Sequence, residues 1–120
     1  MAGKITPKRG EIYWVNFDPT IGVEIKKTRP ALVIQNDISN RRSSMTIVAA
    51  ITSQCDGRIY PFEVFLDNTN CGLAQKSMVL LNQIRAVDKI RLIKKIGCLD
   101  AGKMILVNRA LAISLGLIEI

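Results

Sequence analysis

The sequence predicts a mainly β chain, a small barrel or sandwich carrying one C-terminal helix. Three observations predict it. Short runs rich in β-branched and aromatic residues recur between turn-forming stretches. The apolar spacing changes to that of a helix only after Asp100. Hydrophobic residues make up 48% of the 120 residues, enough for one core without disulfides or a metal. With no internal repeat and no linker-like composition break, residues 1–120 read as a single domain.

The first strand is expected over Glu11-Ile12-Tyr13-Trp14-Val15-Asn16-Phe17 and the second over Ala31-Leu32-Val33-Ile34-Gln35-Asn36. Between them, Gly22 to Pro30 places Glu24, Lys26, Lys27 and Arg29 on one short connection, a density of charge that marks a site held between rigid strands. Met45 to Thr52 is apolar on both faces and predicts a central strand that ends at Thr52. Phe62 to Leu66 predicts a further strand, Asp67 to Gly72 a turn, and Ser77 to Arg85 a strand with a polar end. Asp100 is a plausible N-cap, and Met104, Val107, Leu111 and Leu115 recur at helical spacing, so a helix is expected over 101–115. Lys103 in its first turn opposes the helix dipole. Ile105, Leu106 and Ile113 lie off the main stripe, so the helix is expected to be covered on two sides, and a homodimer follows as an expectation.

Composition limits the chemistry. The net charge of +7 calls for a polyanionic partner, since cations that neutralise phosphates release counterions. The excess is blocked: residues 1–42 carry eight Lys/Arg against four acids and 83–103 carry six against two, while 43–82 carry two against three. The chain has no histidine, which removes the commonest general acid or base and any Ser-His-Asp or Cys-His arrangement within one chain. Cys55, Cys71 and Cys98 are widely spaced, without a CxxC pair, and read as structural or free thiols. Neither the scattered Asp residues nor any Gly-rich loop calls for a metal or nucleotide cofactor. No apolar run approaches the ~20 residues that span a bilayer, and Met1 to Pro7 lacks a secretory apolar segment, so a cytoplasmic location is the default.

What remains is guanidinium, carboxylate, ammonium and hydroxyl chemistry. Cleaving RNA without a metal requires a 2′-hydroxyl to lose its proton, a pentavalent phosphorus to be stabilised and a 5′-oxygen to gain a proton. Arg29 suits the second task through bidentate contacts, and Pro30 stiffens its backbone; equally, Arg29 can form a structural ion pair with Glu24, five positions earlier. Glu24 can act as a base if partly desolvated, or orient Arg29 or a substrate base. Thr52, followed by Ser53 and Gln54, can donate to a phosphate or simply satisfy its own turn. Gln83 and Arg85 share one side of their strand and can read a base and clamp a phosphate, or form a solvated strand end. Lys89, Arg91, Lys94 and Lys95 read as a solvated face with Ile90, Leu92, Ile93 and Ile96 buried behind it. Tyr13, Trp14, Phe17, Phe62 and Phe65 fall in strand-like runs and are expected in the core.

Two separated motifs in order carry a resemblance. Arg9-Gly10-Glu11-Ile12-Tyr13, Asp18-Pro19, Gly22-Val23-Glu24 and Lys27-Thr28-Arg29-Pro30-Ala31-Leu32-Val33-Ile34 are followed by Gln83-Ile84-Arg85-Ala86-Val87-Asp88-Lys89-Ile90-Arg91-Leu92. Together they resemble the MazF/PemK family of toxin endoribonucleases, from about residue 8 to the C-terminus. The resemblance implies an SH3-like small β-barrel of MazF/CcdB type with a C-terminal helix, usually a homodimer. It also implies metal-independent cleavage of single-stranded RNA to a 2′,3′-cyclic phosphate and a 5′-hydroxyl, and a cognate antitoxin whose acidic segment covers the RNA site. The family's Arg before Pro falls on Arg29 and its strand-end Thr on Thr52, with Glu24, Ser53, Gln83 and Arg85 near the RNA channel. Lys27 and Thr28, within the Arg-Pro motif, are expected to contact RNA beside them. Val23 and Ile25 stand where the commoner pattern is Gly-Ser-Glu-Gln, a departure that bears on sequence preference. A non-catalytic nucleic-acid binder or a gyrase-poisoning toxin resembling CcdB is the alternative on the same barrel; a protein-interaction barrel whose charge only aids solubility is a third reading.

Overall fold

The computed structural model describes residues 5–18 and 27–120. Glu24, and with it the centre of the charged connection, lies outside the described residues. One antiparallel sheet is built from β1 (Glu11–Asn16), β2 (Thr28–Val33), β3 (Met45–Thr52), β4 (Glu63–Leu66), β5 (Ser77–Asp88) and β6 (Leu92–Cys98), in the spatial order β4-β5-β3-β2-β1-β6. Helix α1 (Asp37–Arg42) joins β2 to β3, and α2 (Ala101–Ser114) follows β6. The mainly β class with a C-terminal helix matches the expectation. The ladder itself does not close into a ring, because β4 and β6 are edges.

Period-two alternation along the strands sorts their side chains into two cores. Ile12, Leu32, Ala49, Ile51, Val79 and Leu81 form one with Val64 and Leu66 of β4, covered by Val107 and Ala110 of α2. Tyr13, Val15, Ala31, Val33, Val48 and Ala50 form the other with Phe17, Val87 and Leu92. β3 contributes to both, as its two apolar faces predicted.

The loop after β4 reaches across to the far edge of the sheet. A Cβ on Gly72 would lie 2.9 Å from the Ile96 carbonyl carbon, and one on Gly97 would lie 2.7 Å from that of Cys71. Two glycines thus allow backbone to lie on backbone, and the curled sheet brings its edges together there without a hydrogen-bonded ring.

Several expectations need correction. β2 begins at Thr28, three residues before its predicted start, so Thr28, Arg29 and Pro30 are strand residues rather than loop. α1 and β6 were not anticipated as elements. α1 is held by Asn36, whose side chain accepts from Ser39 N at 2.8 Å, and by buried Asn40, which accepts from Thr46 Oγ1 at 2.7 Å. On α2 the buried residues are Val107 and Ala110; Leu115, expected on the buried stripe, is exposed because the helix ends at Ser114, whose Oγ donates to Leu81 O at 2.7 Å. Asp100 caps α2 as predicted, accepting from Lys103 N at 2.8 Å. Ile90 and Ile93 are 83% and 57% exposed, not buried: Ile93 lies on the edge strand β6 and Ile90 on the single helical turn, Lys89–Arg91, before it. Three of the four basic residues near them hold the fold together. Lys95 pairs with Glu11 at 2.9 Å, Lys89 donates to Asn40 O, and Arg91 donates to Asn16 O at 3.1 Å. The described residues contain no helix long and apolar enough to cross a membrane.

Two stability experiments follow. Gly97→Ala forces the two backbones apart and is expected to cost about 2–3 kcal/mol in urea unfolding, whereas Gly102→Ala, whose methyl would come no closer than 3.4 Å to Asp100 Oδ1, is expected to be neutral or to stabilise by about 0.5 kcal/mol. Burial raises the Glu11 pKa, but hydrogen bonds from Lys95, Lys8 N and Tyr13 outweigh it and leave the carboxyl below its ordinary 4.5. A depressed folded-state pKa contributes stability above 4.5 that is lost as pH falls through the folded value. Acid titration of unfolding should therefore show a smaller low-pH loss in Glu11→Gln than in the unsubstituted chain.

Candidate active site

Pro30 shapes the site. The β2–β3 ladder runs Val33↔Val48, Leu32↔Ala49 and Ala31↔Ala50, and stops there. Next comes Pro30, which has no N–H to give. Extending the same register by two residues sets Arg29 across from Thr52, the last residue of β3, on the face that carries Ala31 and Ala50. On its other side Arg29 stands opposite Val15 of β1. The guanidinium is thus carried by a strand with partners on both flanks.

Beside the end of the β2–β3 ladder lies a cavity of about 450 Å³, lined by Thr28, Arg29, Pro30, Ile51, Ser53 and Trp14 and, from the loop after β4 and from β5 and β6, by residues that include Gly72, Ser77 and Ile96. A neighbouring cavity of about 370 Å³ is lined by Thr52, Gln54, Arg58, Tyr60, Glu63 and Met78 among others. Arg29, Thr28 and Ser53 therefore share one cavity while Thr52 lines the next. The two meet at the end of β3, where Thr52 and Ser53 are adjacent. Thr52 Oγ1 accepts from Gln54 N at 3.1 Å, so the turn role considered for it is real, yet that bond leaves the hydroxyl hydrogen to donate.

The base of the charged connection is held by two arginines. Phe17 N donates to Lys27 O at 3.0 Å, and Lys27 N donates to Asp18 Oδ1 at 3.0 Å. Lys27 adopts a φ of +65°, a left-handed conformation that turns the chain into β2. Arg85 Nη1 donates to Phe17 O at 3.1 Å, with its guanidinium 5.6 Å from the centre of the Phe17 ring. Arg91 donates to both Asn16 O and Asp18 O. Arg85 is accordingly committed to the loop base and lines neither of the two cavities, and Gln83 lies two residues before it on β5. The β3–β5 register shifts just before Arg85, Ala49 standing opposite Ile84 and Ala50 opposite Leu80.

Several residues of this region escaped sequence reasoning. Trp14, expected in the core, is 40% exposed and lines the Arg29 cavity. Alternation puts it on the face of Ile12, which is fully buried, so the strand pattern carried no signal that it would line a cavity. Tyr60 and Arg58 belong to a loop with no periodicity, and Arg91 offered only its charge.

The segment 8–115 matches the family described as PemK-like, MazF-like toxin of type II toxin-antitoxin system. The chain is 47% identical over 112 residues to endoribonuclease EndoA of Bacillus subtilis (strain 168), covering 93% of this chain and 97% of that protein. Among solved structures, MazF from Deinococcus radiodurans superposes with a TM-score of 0.80 at 29% identity, covering 93% of this chain and 98% of the other. A MazE-MazF structure from the same organism gives 0.73 at 26% identity, covering 93% and 97%. Fold, motif order and near-complete coverage agree: the chain belongs to the PemK-like, MazF-like family of type II toxin-antitoxin toxins.

Proposed function

We propose that this chain is the toxin enzyme of a type II toxin-antitoxin module, a cytoplasmic, metal-independent endoribonuclease that cuts single-stranded mRNA at a preferred sequence. The observation that supports the reading is at the end of β3, where Thr52 lines one cavity and the adjacent Ser53 shares the next with Arg29; continuing the β2–β3 register two residues past Ala31↔Ala50 would set Arg29 across from Thr52. A phosphodiester seated there meets a permanent cation and a hydroxyl donor together. The 2′-oxygen attacks phosphorus as its proton leaves, the O2′–P bond forms, and the P–O5′ bond breaks as O5′ gains a proton. A 2′,3′-cyclic phosphate and a 5′-hydroxyl result. Arg29 neutralises the charge that builds on the non-bridging oxygens, and the Thr52 hydroxyl donates to one of them.

Glu24 takes the 2′ proton in this scheme unless Arg29 itself does. Lys27, Thr28, Ser53, Gln83 and Arg85 hold the RNA on either side of the scissile bond, with the charge of +7 supplying a salt-dependent term. The cationic surface also suits the acidic segment of a cognate antitoxin, by analogy with the MazE-MazF pair of Deinococcus radiodurans. Ile105 and Leu106 on the outer side of α2, with Leu115 and Leu117 beyond it, are exposed and support a homodimer. Such a dimer would have twice the 13.3 kDa chain mass by light scattering, and a monomeric mass at micromolar concentration would remove it.

Incubation of the purified chain with long single-stranded RNA in EDTA is expected to give discrete cuts ending in cyclic phosphate. Arg29→Ala should lose roughly 100- to 1,000-fold in rate. Cleavage that needs a divalent ion would overturn the mechanism, and growth inhibition without RNA scission would favour the CcdB-like alternative. The pH–rate profile assigns the proton carrier: if it is Glu24, the acid limb disappears in Glu24→Gln, and if it is Arg29, the limb persists.

A further inference from the structure

We infer that Tyr60, backed by Phe62, is a stacking site for a nucleobase next to the scissile phosphate, an assignment that rests on the RNA-cleaving reading above. The cavity that holds Thr52 has an apolar floor, Met78 and Leu80 of β5, which lie across from Thr52 and Ala50 in the ladder. Tyr60 lines the same cavity and is 45% exposed. Its ring lies parallel to that of Phe62, with an interplanar angle of 3° and centroids 5.6 Å apart. A parallel aromatic pair with open ring surface can be extended by one more flat ring, and every nucleobase has one.

The platform is held before any ligand arrives. Tyr60 N donates to Glu63 Oε1 at 3.1 Å, and Glu63 N donates back to Tyr60 O at 2.9 Å. Pro61 between them fixes one more torsion. Ordering costs on binding are therefore small.

The polar lining favours a base over a phosphate. Asp56 and Glu63 both face this cavity, and two carboxylates repel a phosphodiester. Asp56 Oδ1 accepts from Arg58 N at 3.0 Å, and the carboxylates retain acceptor capacity for exocyclic amino groups of a base edge. Gln54 adds both a donor and an acceptor, and the exposed Arg58 supplies the cation for the adjoining phosphate. Tyr60 thus contributes binding and base choice, while Thr52, which lines the same cavity and adjoins Ser53 of the Arg29 cavity, faces the reacting phosphorus.

The test measures binding of mixed-sequence single-stranded RNA, 2′-O-methylated so that it cannot be cut, and cleavage of the unmodified RNA in parallel. Tyr60→Ala is expected to weaken binding about 5- to 100-fold, with the loss appearing in KM while kcat is kept, and Tyr60→Phe is expected to bind as the unsubstituted chain does. One abasic substitution beside the cut should erase the difference between Tyr60→Ala and the unsubstituted protein. Unchanged binding by a folded Tyr60→Ala, or an equal loss in Tyr60→Phe, would overturn the stacking assignment. Tyr60-dependent binding of methylated RNA without cleavage of unmodified RNA would sink the cleavage reading and leave the stacking site standing.

Discussion

The end of the β2–β3 ladder at Ala31↔Ala50 is the constraint on which the site depends. A strand pair that continued its hydrogen bonds to the last residue would have brought the two ends together and left no room for a phosphate. Pro30 has no donor to give and the ladder stops beside it; the register established farther in, continued two residues, would set Arg29 across from Thr52. The same residue that opens the cavity also restricts the conformation of Arg29 before it. Position comes from the sheet and access from the proline.

Two further contacts support that arrangement. Gly72 and Gly97 let the loop after β4 lie against β6, so the sheet curls and its edges meet near the cavity that Gly72 and Ile96 also line. Arg85 and Arg91 hold the carbonyls of Asn16, Phe17 and Asp18, and Lys27 completes the closure by bonding Phe17 and Asp18. Much of the charge in the second basic block is therefore spent on the fold near the proposed RNA surface. Cations with such double duty still contribute to the local potential, because a hydrogen bond to a carbonyl does not neutralise them.

The sequence made the strands over 11–17, 45–52 and 62–66 legible because their alternation and β-branched content are local properties. It made the Asp100 cap legible for the same reason. β6 and α1 were not legible. The Lys-rich run of β6 alternates poorly because an edge strand buries little of either face, and α1, six residues long, is too short for a helical period to emerge. Arg29 and Thr52 were found as residue types, but their opposition depends on a register between strands that no local pattern encodes. Trp14 shows the same limit: its apolar character and its strand face both argued for the core, and only the assembled sheet shows that it lines the cavity.

The most direct measurement of the central claim is a double-mutant cycle on single-turnover RNA cleavage in EDTA, using Arg29→Ala, Thr52→Ala and the pair. If the two side chains act on one phosphate, the double variant should lose little more than the worse single variant. Losses that multiply as for independent sites, or a Thr52→Ala chain that cleaves at the unsubstituted rate, would contradict the account.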